Sequence, residues 1–177
     1  MVTPLPIGWY AAYTKPRTEK KVFERLARQG VEVYLPLQRT LKQWSDRKKW
    51  VEEPLIRSYV FVRESNANHS MILSTEGLVR YIGFGGRPAV VPHADIVKIQ
   101  QLLGQAELTV EASAEPIAIG SQIVITTGSL QGLSGEVVEH RGRQKLVVRL
   151  EAINYSILVS LPQAYLELDH KHRSPQK

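Results

Sequence analysis

The chain has no cysteine in its 177 residues, which removes disulfide frameworks, thiol nucleophiles and cysteine-ligated zinc from consideration and fits a reducing, cytoplasmic setting. No apolar run approaches the roughly 18 to 20 residues that a membrane helix requires, so a soluble chain with no membrane partner is expected. The opening MVTPLPIGWY lacks a basic stretch leading into an apolar one, and no export signal is expected. The five histidines, at 69, 93, 140, 170 and 172, are scattered without a His-Glu-x-x-His helix. GFGGRP has neither the spacing nor the Lys-Ser/Thr of a phosphate loop. An enzyme is therefore not expected, nor a cofactor or a resident metal; His170 and His172 could hold a metal only weakly, in a solvated tail.

Against these absences, an apolar share of 43% with 23% charged residues is ordinary globular composition. The length admits one well-cored domain or two small ones. The net charge of +6 is unevenly placed: residues 1–103 carry 16 Lys/Arg against 9 Asp/Glu, and the remainder carries 7 against 8. A basic excess confined to one part suggests a nucleic-acid-facing module joined to a module with another task.

The pattern of the first part is strand, helix, strand, strand, helix, strand, helix. GWYAAY (8–13) alternates as a strand, with Trp9, Ala11 and Tyr13 on one face. RTEKKVFERLARQG places Val22, Phe23, Leu26 and Ala27 at helical spacing, and Gly30 supplies the stop. VEVYLPL (31–37) and SYVFVRE (58–64) read as strands, the latter with Tyr59, Phe61 and Arg63 on one face and Val60 and Val62 on the other. Asn66 or Asn68 can cap a short helix through Met71, Ile72 and Leu73. LVRYIGF reads as a further strand, followed by a Gly-Pro turn and a helix that turns Ile96, Ile99, Leu102 and Leu103 inward. This is an α+β sandwich with helices on a mostly antiparallel sheet, assigned to residues 1–103.

Residues 104–116, GQAELTVEASAEP, have small and acidic residues and no aromatics, and read as a flexible linker. Beyond it, SQIVITT, GEVVEH, QKLVVRLE, YSILVSLP and AYLEL are five short strands, for which a small β-barrel over 117–169 is the expected solution. Residues 170–177 form a polar tail.

One stretch stands apart. LKQWSDRKKW (41–50) holds two of the chain's three tryptophans beside four basic side chains, around a Ser-Asp turn signal. A hairpin over about 38–56 would carry Arg39, Lys42, Arg47, Lys48 and Lys49 at its tip with only Asp46 opposing. Basic side chains bind phosphates through counterion release, and tryptophans can stack on bases. The structural alternative is that Trp44 and Trp50 pair across the hairpin and stiffen it while the lysines keep it soluble.

The ordered motifs WYAAYTKPRTEKKVFERL, VEVYLPL, SYVFVRE and GFGGRPAVVP, followed by VITTGSLQGLSGEV, resemble the NusG family of transcription elongation factors: an N-terminal NusG-type domain with a C-terminal KOW barrel. The resemblance covers about residues 8–168. Within it, YTKPRTEKKVFERL, QRTLKQWSDRKKWVE and GFGGRPAVVP look most like the specialised antiterminators of the UpxY type and, more distantly, RfaH, which act on long operons such as polysaccharide clusters.

The resemblance implies a bacterial factor, acting as a monomer, that rides on the clamp helices of RNA polymerase through an apolar depression at Trp9, Tyr13, Ile56, Tyr59 and Phe61; the structural alternative is that these rings pack against the domain's own helices. Relatives usually have an aromatic and a proline where this chain has Ile56-Arg57-Ser58. The hairpin, with Arg39, Lys42, Gln43, Trp44, Arg47, Lys48, Lys49 and Trp50, would face upstream or non-template DNA. His69 and Ser70 lie near where RfaH-like proteins present a His-Thr-Thr stretch to the polymerase gate loop; the threonines are absent here, and a capping or solvent-exposed role is the alternative. Gly128, Gly132 and Gly135 match the KOW turn glycines, which would allow positive φ. The barrel's partner in relatives is a ribosomal protein or the termination factor Rho. A rival reading is a ribosome- or RNA-associated KOW protein that never meets polymerase.

Overall fold

The computed structural model describes residues 5–64, 68–106, 108–126 and 128–160. The chain divides into two compact units, 1–97 and 98–177, so the division falls a few residues before the expected 103/104 boundary, inside a helix. No helix among the described residues is long and apolar enough to cross a membrane.

In the first unit, β1 (Gly8–Thr14) is central. It pairs antiparallel with β5 (Tyr59–Glu64) on one side, and with β6 (Leu78–Tyr81) and β9 (Val90–Val91) on the other; β2 (Val33–Tyr34) pairs with β5. The sheet order is therefore β2-β5-β1-β6, with β9 continuing along the β6 edge. One sheet face carries Tyr10, Ala12, Val60 and Val62. It packs on Val22 and Leu26 of α1 (Glu19–Arg28) and on Ile72 of α2 (His69–Leu73), with Leu78 and Tyr81 completing the core. Each such side chain withdrawn from water contributes roughly 1.5 to 3 kcal/mol, so this face anchors the unit.

Two expected strands are broken. VEVYLPL is extended only at β2; Leu35 and Pro36 turn the chain out of the sheet, and β3 (Leu37–Gln43) leaves as one arm of the basic hairpin, with β4 (Lys48–Pro54) as the other. LVRYIGF ends as a sheet strand at Tyr81, and β7 (Gly83–Phe84) pairs instead with β8 (Arg87–Pro88) in a separate small hairpin. Helix α3 (His93–Leu103) buries Ile96, Ile99 and Leu102 as the periodicity requires. Asn68 occupies the N-cap position of α2, without a side-chain capping bond; Asn66 lies outside the described residues.

The second unit holds a five-stranded antiparallel sheet in the order β10-β14-β13-β12-β11. Four strands fall on expected runs: β11 (Ser121–Val124), β12 (Ser134–His140), β13 (Arg143–Leu150) and β14 (Tyr155–Ser160). The fifth corrects the linker assignment. Thr109–Ser113, within the presumed 104–116 linker, is β10 and pairs with β14 from Thr109↔Ser160 to Ser113↔Ser156. AYLEL, the tail and its His170 and His172 lie outside the described residues.

Gly128 and Gly132 have φ of 76° and 86°, as turn glycines require. Gly135 does not share that reason. It lies in β12 opposite Ile123, and a Cβ there would come within 2.7 Å of the Val147 carbonyl oxygen. Close backbone approach, not left-handed conformation, demands glycine at 135.

Candidate functional site

The first candidate surface is the exposed β3/β4 hairpin. The Trp44 N–H donates to the Arg47 carbonyl at 2.8 Å, so Ser45 and Asp46 form the reversal. The ladder runs Gln43↔Lys48, Lys42↔Lys49, Leu41↔Trp50, Thr40↔Val51 and Arg39↔Glu52. Its base is fastened by the Lys20 ammonium donating to the Glu52 carbonyl at 2.7 Å and by Leu55 N–H donating to the Pro36 carbonyl at 2.8 Å. Lys42 pairs with Glu53, which also accepts from Thr40, and the Lys42 hydrogen bond holds the Glu53 carboxyl below its usual range. Arg47, Lys48 and Lys49 are exposed, and no ion pair joins them to another described residue. The expected cluster of Arg39, Lys42, Gln43, Arg47, Lys48 and Lys49 is thus brought together on one hairpin. Trp44 and Trp50, 55% and 57% exposed, are three register steps apart and occupy opposite faces. The cross-hairpin tryptophan pair is not formed.

The second candidate surface is the other face of the main sheet. Strand alternation and the β1/β5 register align Trp9 with Arg63, Ala11 with Phe61 and Tyr13 with Tyr59. Burial separates these side chains. Trp9, Ile56 and Phe61 are only 6%, 1% and 0% exposed, so for these three the packing alternative holds, and of the five expected residues Tyr13 and Tyr59 remain for a surface. Phe61 stacks on Tyr34 with centroids 6.3 Å apart, and burial pushes the Tyr34 hydroxyl up to about 12. Trp9 donates its indole N–H to His93 Nδ1 at 3.2 Å, at one wall of a cleft of about 300 Å³ shared with Ile7, Arg63 and Val90.

Tyr13 and Tyr59 remain half-buried at the surface, edge to face with centroids 5.7 Å apart. The Arg80 guanidinium lies 5.9 Å from the centre of the Tyr13 ring. Sequence reasoning missed Arg80, a strand residue whose role appears only once β6 is placed beside β1. Ile56-Arg57-Ser58 leads into β5 with Ser58 at φ 62°, and the Glu19 carboxylate accepts the Ser58 N–H at 2.7 Å. Ile56 is buried, and Ser58 is a strained residue held by a helix carboxylate.

His69 turns inward. Its Nδ1 meets Glu64 Oε1, and its ring stacks on Tyr81 at 5.7 Å. Glu64 is completely buried, and burial first, then interaction with that carboxylate, raises the Tyr81 hydroxyl far above its ordinary value. This corrects the picture of His69 as an outward gate-loop contact, whereas Ser70 beside it is exposed. No group of three or more potential metal ligands occurs among the described residues.

In the second unit the strongest polar constellation is structural. Arg149 donates to both carboxylate oxygens of Glu136 at 2.8 Å, and to the carbonyls of Ile117 at 3.1 Å and Ala118 at 3.0 Å. Glu136 also accepts the Gly120 N–H at 3.0 Å. The Arg149 hydrogen bonds, reinforced by the Gly120 amide, hold the Glu136 carboxyl down at about 2, and the Arg149 value is raised in turn. The fork ties the segment entering β11 to β12 and β13.

Residues 8–100, more than half of the chain, match the family model described as "Transcription termination factor nusG". Among solved structures the chain is similar to Thermotoga maritima NusG, at 21% identity over 89% of this chain and 95% of that one, with a TM-score of 0.47. It is also similar to the MjSpt4:Spt5 complex in conformation B, at 16% identity over 89% and 93%, with a TM-score of 0.32.

Proposed function

The chain belongs to the NusG family of transcription factors, and from that premise we propose that it joins the elongating RNA polymerase through its first unit, contacts nucleic acid with its basic hairpin and promotes processive transcription. The observation that carries this reading is the pairing, within one unit, of a half-buried Tyr13–Tyr59 surface flanked by Arg80 with a projecting hairpin whose Arg47, Lys48 and Lys49 have no ion-pair partner among the described residues. Aromatic rings with an adjacent arginine concentrate affinity at protein interfaces. Unpaired cations on an exposed ribbon suit phosphates. Docking on the clamp helices, contact with upstream or non-template DNA, and an antiterminator role of the UpxY or RfaH type on selected operons are the finer parts of the proposal. The five-stranded sheet is read as the KOW barrel, with a ribosomal protein or Rho as its candidate partner. Action as a monomer without catalysis or cofactor completes the reading.

The test is retention of the full chain on core polymerase elongation complexes, compared with a Tyr13→Ala plus Tyr59→Ala variant. These residues are chosen over Phe61, whose removal from the interior would cost about 3 to 5 kcal/mol of stability. Retention of the parent and loss of the variant supports the proposal. Failure of both to bind, with capture on ribosomes or free RNA, would establish the rival KOW reading.

A further inference from the structure

The hairpin register fixes the side on which each of its residues stands. Thr40, Lys42 and Trp44 share one face with Arg47, Lys49 and Val51. Arg39, Leu41 and Gln43 share the other with Lys48, Trp50 and Glu52. Because Trp44 and Arg47 form a hydrogen-bonded step, alternation makes Leu41↔Trp50 a non-hydrogen-bonded pair, in which side chains approach more closely.

The two indoles therefore meet different chemistry. Trp50 is already engaged: the Arg39 guanidinium sits 5.7 Å from its ring centre, Leu41 is directly across, and Glu52 opposes Arg39. On the Trp44 face, Lys42 and Lys49 stand directly opposite one another, an arrangement that disfavours an isolated hairpin. Lys42 is relieved by leaning to Glu53. Lys49 and Arg47 have no carboxylate partner among the described residues, and they flank an indole that is 55% exposed. An anionic strand with unpaired bases satisfies both halves of that surface at once.

We propose that Trp44 is the base-stacking residue for single-stranded nucleic acid, with phosphates on Arg47 and Lys49, and that Trp50 stiffens the hairpin without stacking on the ligand. The assignment rests on the reading that the hairpin meets nucleic acid, and it adds which face does so.

The experiment uses the full chain and two labelled probes of about 12 nucleotides, oligo-dT and oligo-rU, so that DNA and RNA are compared. Anisotropy measures affinity, and the indole N–H resonances of Trp9, Trp44 and Trp50 are followed by NMR. The expected result is a shift of the Trp44 indole signal with that of Trp50 unmoved. Trp44→Leu should weaken binding about 5- to 150-fold while leaving the salt slope unchanged, and Trp44→Phe should restore part of the loss. Movement of the Trp50 signal in place of Trp44, or equal movement of both, overturns the face assignment, as does full affinity in Trp44→Leu. Absence of binding to either probe overturns the nucleic-acid reading itself, and this assignment with it.

Discussion

Replacing Glu136 with glutamine keeps the shape of the Arg149 fork and removes its charge. The carboxyl lies at about 2 against an ordinary value of 4.5, a difference of about 2.5 units, which at 1.36 kcal/mol per unit corresponds to about 3 kcal/mol. The Arg149 side chain is 26% exposed, so solvent screening trims this to about 2 to 3 kcal/mol. The folded state holds the carboxyl below its unfolded value. The stabilisation is therefore fully present above pH 4.5 and is lost as the pH falls toward 2. Tryptophan fluorescence cannot follow the event, because Trp9, Trp44 and Trp50 all lie in the first unit. Urea unfolding of the full chain should be read from second-unit amides, Gly120 among them. With a urea slope of about 1 kcal/mol per molar, Glu136→Gln should lower the midpoint by about 2 M at pH 7 and flatten its dependence between pH 4.5 and 2. An unchanged midpoint, or a variant that keeps the parent's acid dependence, would refute the assignment of that stability to the fork.

Reversing the charges of Arg47 and Lys49 should reduce the log–log salt slope of single-stranded DNA binding by about 1.4, at about 0.7 per phosphate contact, whereas reversing Lys48 on the other face should leave it unchanged; an unchanged slope in an anisotropy titration of the first variant would put the contacts elsewhere. His69→Ala leaves Oε1 of the buried Glu64 without its hydrogen-bond partner and should cost about 1 to 3 kcal/mol in chemical denaturation, whereas a residue serving only as a surface contact would show no loss. Gly135→Ala should destabilise the second unit by about 1 to 3 kcal/mol, because its Cβ must displace the Val147 carbonyl. Thermal unfolding followed by NMR of that unit checks the size.

The sequence and structure agree where local chemistry decides. Helix α1 follows its apolar spacing and stops before Gly30, and β5 buries Val60 and Val62 on one face as its alternation requires. The differences arise where a second element decides. Alternation put Trp9 and Phe61 on a common face, but it cannot tell what lies over that face, and both proved interior. The tryptophans of the hairpin depended on a single residue of loop length: a three-residue reversal would have placed them on one side, whereas Ser45-Asp46 puts them on two. His69 looked like a surface residue because its partner, Glu64, belongs to another element. Thr109–Ser113 escaped notice because an edge strand needs few apolar residues, and Val110 is its one buried aliphatic.

That edge strand imposes an order on synthesis. The ladders from β11 to β14 join neighbours in sequence, so each can close as soon as its second arm emerges from the ribosome. The β10 segment is made before them all, yet its mate is β14, the latest of the five. The acidic stretch must therefore wait, unpaired, through some forty residues of elongation before the loop it bounds can close. Its glutamates keep it in solution meanwhile, and when β14 arrives Glu111 finds Lys145 already in place on β13.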